Sequence, residues 1–164
     1  MLSPTIIRTA NNKDFDQIAS LVLPIQQIEF NVPVTIEGQP DLLDIETNYH
    51  KPGGGFWVAD NGQLLVGTIG LIHIGQNTGI VRKMFVRKEF RGKETGIAQN
   101  LLDTLIHHSR AAGIIDLYLG SVDRMKAAHR FYERNGFMQI TKGDMPSHFP
   151  LMPADNIFYH LHLD

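Results

Sequence analysis

The most informative part of the sequence is the stretch Val81-Arg82-Lys83-Met84-Phe85-Val86-Arg87-Lys88-Glu89-Phe90-Arg91-Gly92-Lys93-Glu94-Thr95-Gly96-Ile97-Ala98. It begins as an apolar strand, continues as a short basic turn with two glycines, and ends in the first turn of a long amphipathic helix. This order places unpaired backbone N–H groups and the positive end of a helix dipole beside a cluster of Lys and Arg. The combination suits an anion of the diphosphate or triphosphate type.

Positive charge is concentrated in this stretch, although the chain of 164 residues has a net charge of −2. Six of the 15 Lys and Arg residues lie between Arg82 and Lys93, and only Glu89 opposes them. The overall balance argues against nucleic-acid binding, whereas the local positive potential favours an anion site. A basic turn before a helix is more often a solvated surface feature, so the charge pattern needs the glycines and the preceding strand as support.

The residues before this stretch predict a first strand, two helical segments and an antiparallel meander. Apolar spacing favours a strand at residues 6–9, a helix that ends near Pro24 with a short helical piece after it, and a brief helix that starts at Pro40. Three strands follow at residues 56–59, 64–74 and 80–86. The sequence Asp60-Asn61-Gly62 is typical of the tight turn between the first two of them.

The residues after it predict the clearest helix of the chain. Its apolar face consists of Ile97, Ala98, Leu101, Leu102, Leu105 and Ile106, and Gly113 ends it. A strand at 114–119, a helix at 126–135 and a strand at 137–141 come next, and a proline-containing loop leads to a last strand at 156–163. The pattern predicts one domain, residues 1–164, of the α+β or mixed α/β class.

Composition excludes several classes of function. The chain has no cysteine, which removes disulfides and thiolate chemistry. No apolar run approaches the length of a membrane span, and Met1-Leu2-Ser3-Pro4 lacks the regions of a signal peptide, so we expect a cytoplasmic protein that does not bind membranes. Neither a Walker-type phosphate loop nor a G-x-S-x-G motif occurs, and both common nucleotide hydrolases and serine hydrolases are therefore disfavoured.

Eight histidines raise the question of a metal site. His160 and His162 share one face of the last predicted strand, but no carboxylate or third histidine stands at ligand spacing beside them in the sequence. We therefore expect no metal.

Two segments of the chain resemble the GNAT superfamily of acyl-CoA-dependent N-acyltransferases. Lys93-x-x-Gly96-x-Ala98 is similar to the family's pyrophosphate-loop pattern, Gln/Arg-x-x-Gly-x-Gly/Ala, and Tyr132-x-x-x-Gly136-Phe137 is similar to its Tyr-x-x-x-Gly-Phe segment. The resemblance implies a central, mostly antiparallel, twisted sheet of about seven strands, flanked by helices and splayed between the fourth and fifth strands.

The resemblance further implies an N-acetyltransferase that moves an acetyl group from acetyl-CoA to a primary amine by direct attack in a ternary complex. The acceptor would be a small-molecule amine or a protein amino group, and a homodimer is compatible with the family. The alternative is a non-catalytic module that binds acyl-CoA as a sensor or scaffold.

The residues that would bind the cofactor follow from matching the family's positions. The pantetheine arm would pair with the strand around Met84, and the diphosphate would meet the amides from Arg91 onwards and the cations Arg87 and Lys88. The full set is Met84, Phe85, Val86, Arg91, Gly92, Lys93, Glu94, Thr95, Gly96, Ile97, Ala98, His129 and Tyr132. His129 would lie beside the cofactor channel, although a solvated helix position is the favoured role for it. Met125 departs from the family, in which an Asn often helps to hold the pantetheine.

The resemblance also implies the catalytic groups. Tyr132 matches the tyrosine that protonates the departing sulfur, and a backbone N–H of Val86 or Phe85 would stabilise the oxyanion. The central strand carries no Glu that could act as a base. Glu29, Glu37 or an ordered water therefore remain as candidates.

Overall fold

The computed structural model describes residues 4–148 and 151–164. Two pieces of the sequence discussed above lie outside the described residues. They are the first three residues, Met1 to Ser3, which bear on the expected location, and Phe149-Pro150 in the predicted proline-containing loop.

One sheet of seven strands organises the described part of the chain. Its strands are β1 (Ile6–Thr9), β2 (Gly55–Asp60), β3 (Leu65–Gly75), β4 (Thr78–Val86), β5 (Asp116–Ser121), β6 (Met138–Ile140) and β7 (Ile157–His162). They lie in the order β1-β2-β3-β4-β5-β7-β6, and only the β4–β5 pair is parallel. The predicted α+β class and the mostly antiparallel sheet are confirmed.

Four α-helices flank the sheet: α1 (Phe15–Pro24), α2 (Pro40–Leu43), α3 (Ile97–Ala111) and α4 (Lys126–Arg134). The side chain of Asn11 accepts the amide of Lys13 and begins the turn that leads into α1. Helix α1 continues into a π-helical turn, Ile25–Glu29, which corresponds to the short helical piece predicted after Pro24. No helix among the described residues is long and apolar enough to cross a membrane.

Alternating side chains of the central strands build a core on each face of the sheet. Trp57 of β2 packs with Leu101 and Leu105 of α3 on one face. Its neighbours Phe56 and Val58 pack on the other face against apolar residues of α1 and of the segment that follows it. The central strands are therefore covered on both faces of the sheet.

Most strand boundaries differ from the prediction by one or two residues, and hydrogen bonds of the end residues explain three of the differences. Strand β5 starts at Asp116 instead of Ile114, since the amide of Ile114 donates to the carbonyl of Ser109 at the end of α3. Asn135 caps α4 without extending it, and the amide of Phe137 donates to the carbonyl of Tyr132 before β6 begins. Such shifts of one or two residues are usual at element ends.

The splay between the fourth and fifth strands is confirmed. Strands β4 and β5 pair only at Thr78↔Asp116, Gly79↔Leu117 and Ile80↔Tyr118, and then diverge. Strand β4 also carries one extra residue opposite β3, since Thr68 faces Phe85 while Gly70 faces Arg82. This bulge places Lys83 at φ = 53°, and the hydroxyl of Thr68 donates to the Lys83 carbonyl at 2.7 Å.

Candidate functional site

A loop with two left-handed glycines joins β4 to α3, and we call residues 87–96 the glycine loop. Gly92 has φ = 114° and Gly96 has φ = 65°, conformations that a side chain would strain. Thr95 is one of the residues that the family resemblance assigns to cofactor binding. Its hydroxyl donates inside the loop to the carbonyls of Phe90 (2.8 Å) and Gly92 (3.0 Å). The loop is thus folded by its own residues.

Helix α3 leaves donors free at the end of this loop. Helical hydrogen bonding begins with the amide of Asn100, which donates to the carbonyl of Gly96 at 2.9 Å. The amides of Ala98 and Gln99 therefore have no carbonyl one turn earlier within the helix. Because the helix dipole adds positive potential at the same place, this end of α3 can receive an anion.

Arg91 connects the glycine loop to the segment after α1. Its guanidinium makes a two-point ion pair with Glu29, with N–O distances of 2.5 and 2.7 Å, and it also donates to the carbonyl of Val86. The hydrogen bonds from Arg91 lower the pKa of Glu29. Glu29 lies against the loop and does not line the cavity described next, which disfavours it as a base. Glu37, the other candidate, is exposed.

A cavity of about 110 Å³ occupies the gap between β4 and β5. Met84 and Phe85 line it from β4, and Gly120 and Ser121 line it from β5. Apolar side chains from segments outside the sheet also line it, and we call them the apolar rim: Val32, Val34, Met145, Leu151 and Met152. Strand residues and this apolar rim therefore bound the cavity together.

A backbone amide of β4 points towards this gap. The amide of Arg87 donates to the carbonyl of Val66 on β3, at 2.8 Å. Because successive amides of a strand point to opposite sides, the amide of Val86 points away from β3, to the side from which β5 has diverged. The predicted oxyanion donor thus faces the correct side of the strand.

Tyr132 reaches the same cavity from α4. Its ring is buried against Phe131, Phe137 and Tyr159, with centroids 5.6–5.9 Å apart, and it is 6% exposed. Burial raises the pKa of Tyr132 well above its usual value, and the charge of Asp155 raises it further. Within the described residues its hydroxyl makes no hydrogen bond, so a protonated phenol is available to a ligand in the cavity.

His129 is buried, and the expectation of a solvated helix position is wrong. It lies one turn before Tyr132 on α4, and its Nε2 is 3.0 Å from the hydroxyl of Ser121, a residue that lines the cavity. Burial lowers the pKa of His129 below its usual value, with Lys126 adding to the effect. The side chain is therefore a neutral neighbour of the cavity wall.

Three residues that sequence reasoning did not connect form the ionic wall, defined as Asp41, Tyr49 and Lys83. The Tyr49 hydroxyl donates to Asp41 at 2.5 Å, and the Lys83 ammonium lies 3.4 Å from the same carboxylate oxygen. Burial lowers the pKa of Lys83, and Asp41 partly offsets this effect. The only local signal was the charged pair Arg82-Lys83 inside an otherwise apolar strand.

Asp155 is the second residue that sequence reasoning missed. It lines the cavity just before β7 and is the only carboxylate among the described residues that do so. No motif surrounds it, since it follows a loop that carries no periodic pattern. The gap brings it together with Tyr132 and Lys83.

The histidines of β7 lie away from this cavity. Asp116 accepts from both of them, with its Oδ1 2.8 Å from His160 Nε2 and 3.1 Å from His162 Nδ1. The two histidine rings thus share one carboxylate oxygen as their hydrogen-bond acceptor. In residues 4–148 and 151–164, no group of three or more His, Asp or Glu side chains could hold a metal ion.

The sequence and the fold both match known proteins. A sequence model described as an Acetyltransferase (GNAT) domain matches residues 52–139. The crystal structure of an acetyltransferase of the GNAT family from Staphylococcus aureus Mu50 is 40% identical to this chain. It covers 98% of this chain and 99% of its own, with a TM-score of 0.93. An acetyltransferase from Streptococcus agalactiae 2603 is 27% identical, covers 97% of this chain and 98% of its own, and has a TM-score of 0.92.

Further proteins match part of the sequence or the fold. A mouse protein named Probable N-acetyltransferase family 8 member 5 is 32% identical over 109 residues, which are 63% of this chain and 47% of the mouse protein. This chain thus spans about half the length of the mammalian relatives it matches. The PaiA N-acetyltransferase of Thermoplasma acidophilum, crystallised with coenzyme A, shares the fold at 16% identity. Its TM-score is 0.73, over 98% of this chain and 99% of its own.

Proposed function

Because the chain belongs to the GNAT family of acetyltransferases, we propose that it transfers an acetyl group from acetyl-CoA to a primary amine. The amine attacks directly in a ternary complex, and residues 1–164 act as one domain. One observation carries this proposal: the gap between β4 and β5 runs beside the end of β4, which leads into the glycine loop, and the buried phenol of Tyr132 lines this gap. A long acyl carrier can therefore lie with its diphosphate at the loop and its thioester beside a proton donor.

The glycine loop supports binding of the diphosphate. The amides from Arg91 to Ala98 surround the start of α3, where the helix dipole favours negative charge. Gly92 and Gly96 leave the main chain accessible because neither carries a Cβ. The side chains of Arg87, Lys88 and Lys93 add charge around this point, whereas Arg91 is shared with Glu29.

Strand β4 supports placement of the reacting group. The pantetheine arm takes the position that a fifth strand would occupy beside Met84, Phe85 and Val86, because β5 has left that edge. The amide of Val86 then stabilises the oxyanion that develops on the thioester carbonyl. Such a donor is worth about 3 kcal/mol of barrier.

Tyr132 supports the last step of the reaction. Coenzyme A departs as a thiolate, and a phenol with a raised pKa remains protonated at neutral pH and can donate to the sulfur. The chain has no cysteine, so no cysteine can carry an acyl group, which is consistent with direct transfer.

A sensor that binds acyl-CoA without turnover is the second candidate, favoured by the absence of a Glu on β4. The test is release of free coenzyme A from acetyl-CoA with a panel of primary amines, together with calorimetric binding of acetyl-CoA. We expect saturable binding and amine-dependent release. Binding without release on any amine would favour the sensor, and absence of binding would contradict both candidates.

A further inference from the structure

Hydrogen bonds to the β5 side of the gap and within its own loop fix the position of Asp155. The next residue, Asn156, donates its amide to the carbonyl of Ser121 on β5 at 2.9 Å, and its side chain accepts the amide of Asp123 at 2.9 Å. The amide of Asp155 itself donates to the carbonyl of Met152. These bonds hold the segment before β7 against β5, with the carboxylate of Asp155 directed into the cavity.

Gly120 makes room for this carboxylate. A Cβ built on Gly120 would overlap Oδ2 of Asp155. The carboxylate therefore rests on the bare main chain of β5, at the level where β4 and β5 have separated. An alanine at position 120 would displace it without changing any charge.

The carboxylate of Asp155 has no hydrogen bond or ion pair with another group in the part of the chain that the structure describes. Three groups face it: Arg82 and Lys83 from β4, and the phenol of Tyr132 from α4. Burial raises the pKa of Asp155 to about 6, and the two cations moderate the rise. The two cations act on it from a distance, but the carboxylate has no direct partner and can still accept a cationic ligand at the cavity wall.

We propose that Asp155 receives the acceptor as a primary alkylammonium ion and takes its proton before the amine attacks the thioester. The inference rests on the proposed acetyl transfer and gives that reaction its base and its class of acceptor. The apolar rim of Val32, Val34 and Met152 would contact the carbon body of the amine.

The reaction removes two protons from the nitrogen of the acceptor. Asp155 takes the first proton from the ammonium and later releases it to solvent. The nitrogen lone pair forms a bond to the acetyl carbon, the carbon–sulfur bond breaks, and Tyr132 protonates the departing sulfur. The second proton of the nitrogen returns to the tyrosinate, so one proton is released for each amide formed.

The test compares two classes of amine in the variant D155N. Alkylamines are cations at pH 7 and need a base, whereas hydrazides and aromatic amines are neutral there and do not. We expect kcat/KM for alkylamines to fall by about 100-fold and that for neutral amines by about threefold or less. The control variant D16N changes an exposed aspartate of α1 and should match the wild type.

The pH profile provides a second readout. For alkylamines, wild-type kcat/KM should rise as pH increases through about 6, because Asp155 becomes a carboxylate there. D155N should lose this inflection. G120A should show the same selective loss for alkylamines, because it moves the carboxylate while keeping its charge.

The outcomes separate this inference from the proposed function. Equal losses on both amine classes, or an unchanged pH profile in D155N, would overturn the role of Asp155 while leaving acetyl transfer in place. A wild-type protein that releases no coenzyme A with either class would overturn both.

Discussion

The candidate site has two sides that are built in different ways. The glycine loop is contiguous in sequence, and its proposed ligand contacts are mainly backbone amides shaped by two positive φ angles. The ionic wall and Asp155 are side chains drawn from distant segments, and they depend on α2, β4 and the residues before β7 all being in place. The first side can therefore be recognised from a short motif, whereas the second exists only after folding.

The largest effect expected from this contrast is on cofactor binding. G96V should abolish saturable binding of acetyl-CoA, because valine at φ = 65° is strained and covers the amides that open α3. The measurement is titration calorimetry. G113V is the matched control, since Gly113 ends the same helix at φ = 78° and nothing lies near its missing Cβ. Retained affinity in G96V would place the diphosphate elsewhere.

The next effect should appear in stability. D41N removes the charge that compensates the buried ammonium of Lys83, and we expect the free energy of unfolding to fall by about 3 kcal/mol. Urea denaturation measures it. The control D16N, which changes an exposed aspartate of α1, should alter stability little. Adding K83M to D41N should recover part of the loss, and no recovery would mean that the ionic wall does not act as a charge pair.

A smaller effect is expected on turnover. Y132F should lower kcat by about tenfold or more, because the departing thiolate loses its proton donor. The dissociation constant for acetyl-CoA should change little. Y118F removes a phenol from β5 outside the cavity and serves as the control. Steady-state kinetics on both variants decide the matter, and equal kcat values would remove Tyr132 from the mechanism.

The smallest effect should come from the ion pair that joins the glycine loop to the segment after α1. E29Q breaks an ion pair with Arg91 that is partly exposed, and we expect KM for acetyl-CoA to change by about threefold or less. Initial rates at varied acetyl-CoA give this value. A collapse of kcat with normal KM would instead identify Glu29 as the base and contradict the role given to Asp155.

The sequence predicted what depends on neighbours along the chain. The meander, helix α3 with Gly113 at its end, and the splay implied by the family resemblance all have local or motif signals. The burial of His129 could not be predicted from the sequence, because it depends on β5 and β7 packing beneath α4. The loop before β7 gave no pattern from which the position of Asp155 could be predicted.

The β4–β5 contact has a mechanical consequence for the sheet. Only three residue pairs join strands β1–β4 to strands β5–β7, so few main-chain hydrogen bonds connect these two parts of the sheet. No strand pairing joins β4 to β5 beyond Ile80 and Tyr118. An acyl carrier bound there would take the place of a strand and stiffen the junction between β4 and β5. Amide hydrogen exchange along the exposed edge of β4 would therefore slow when the carrier is bound.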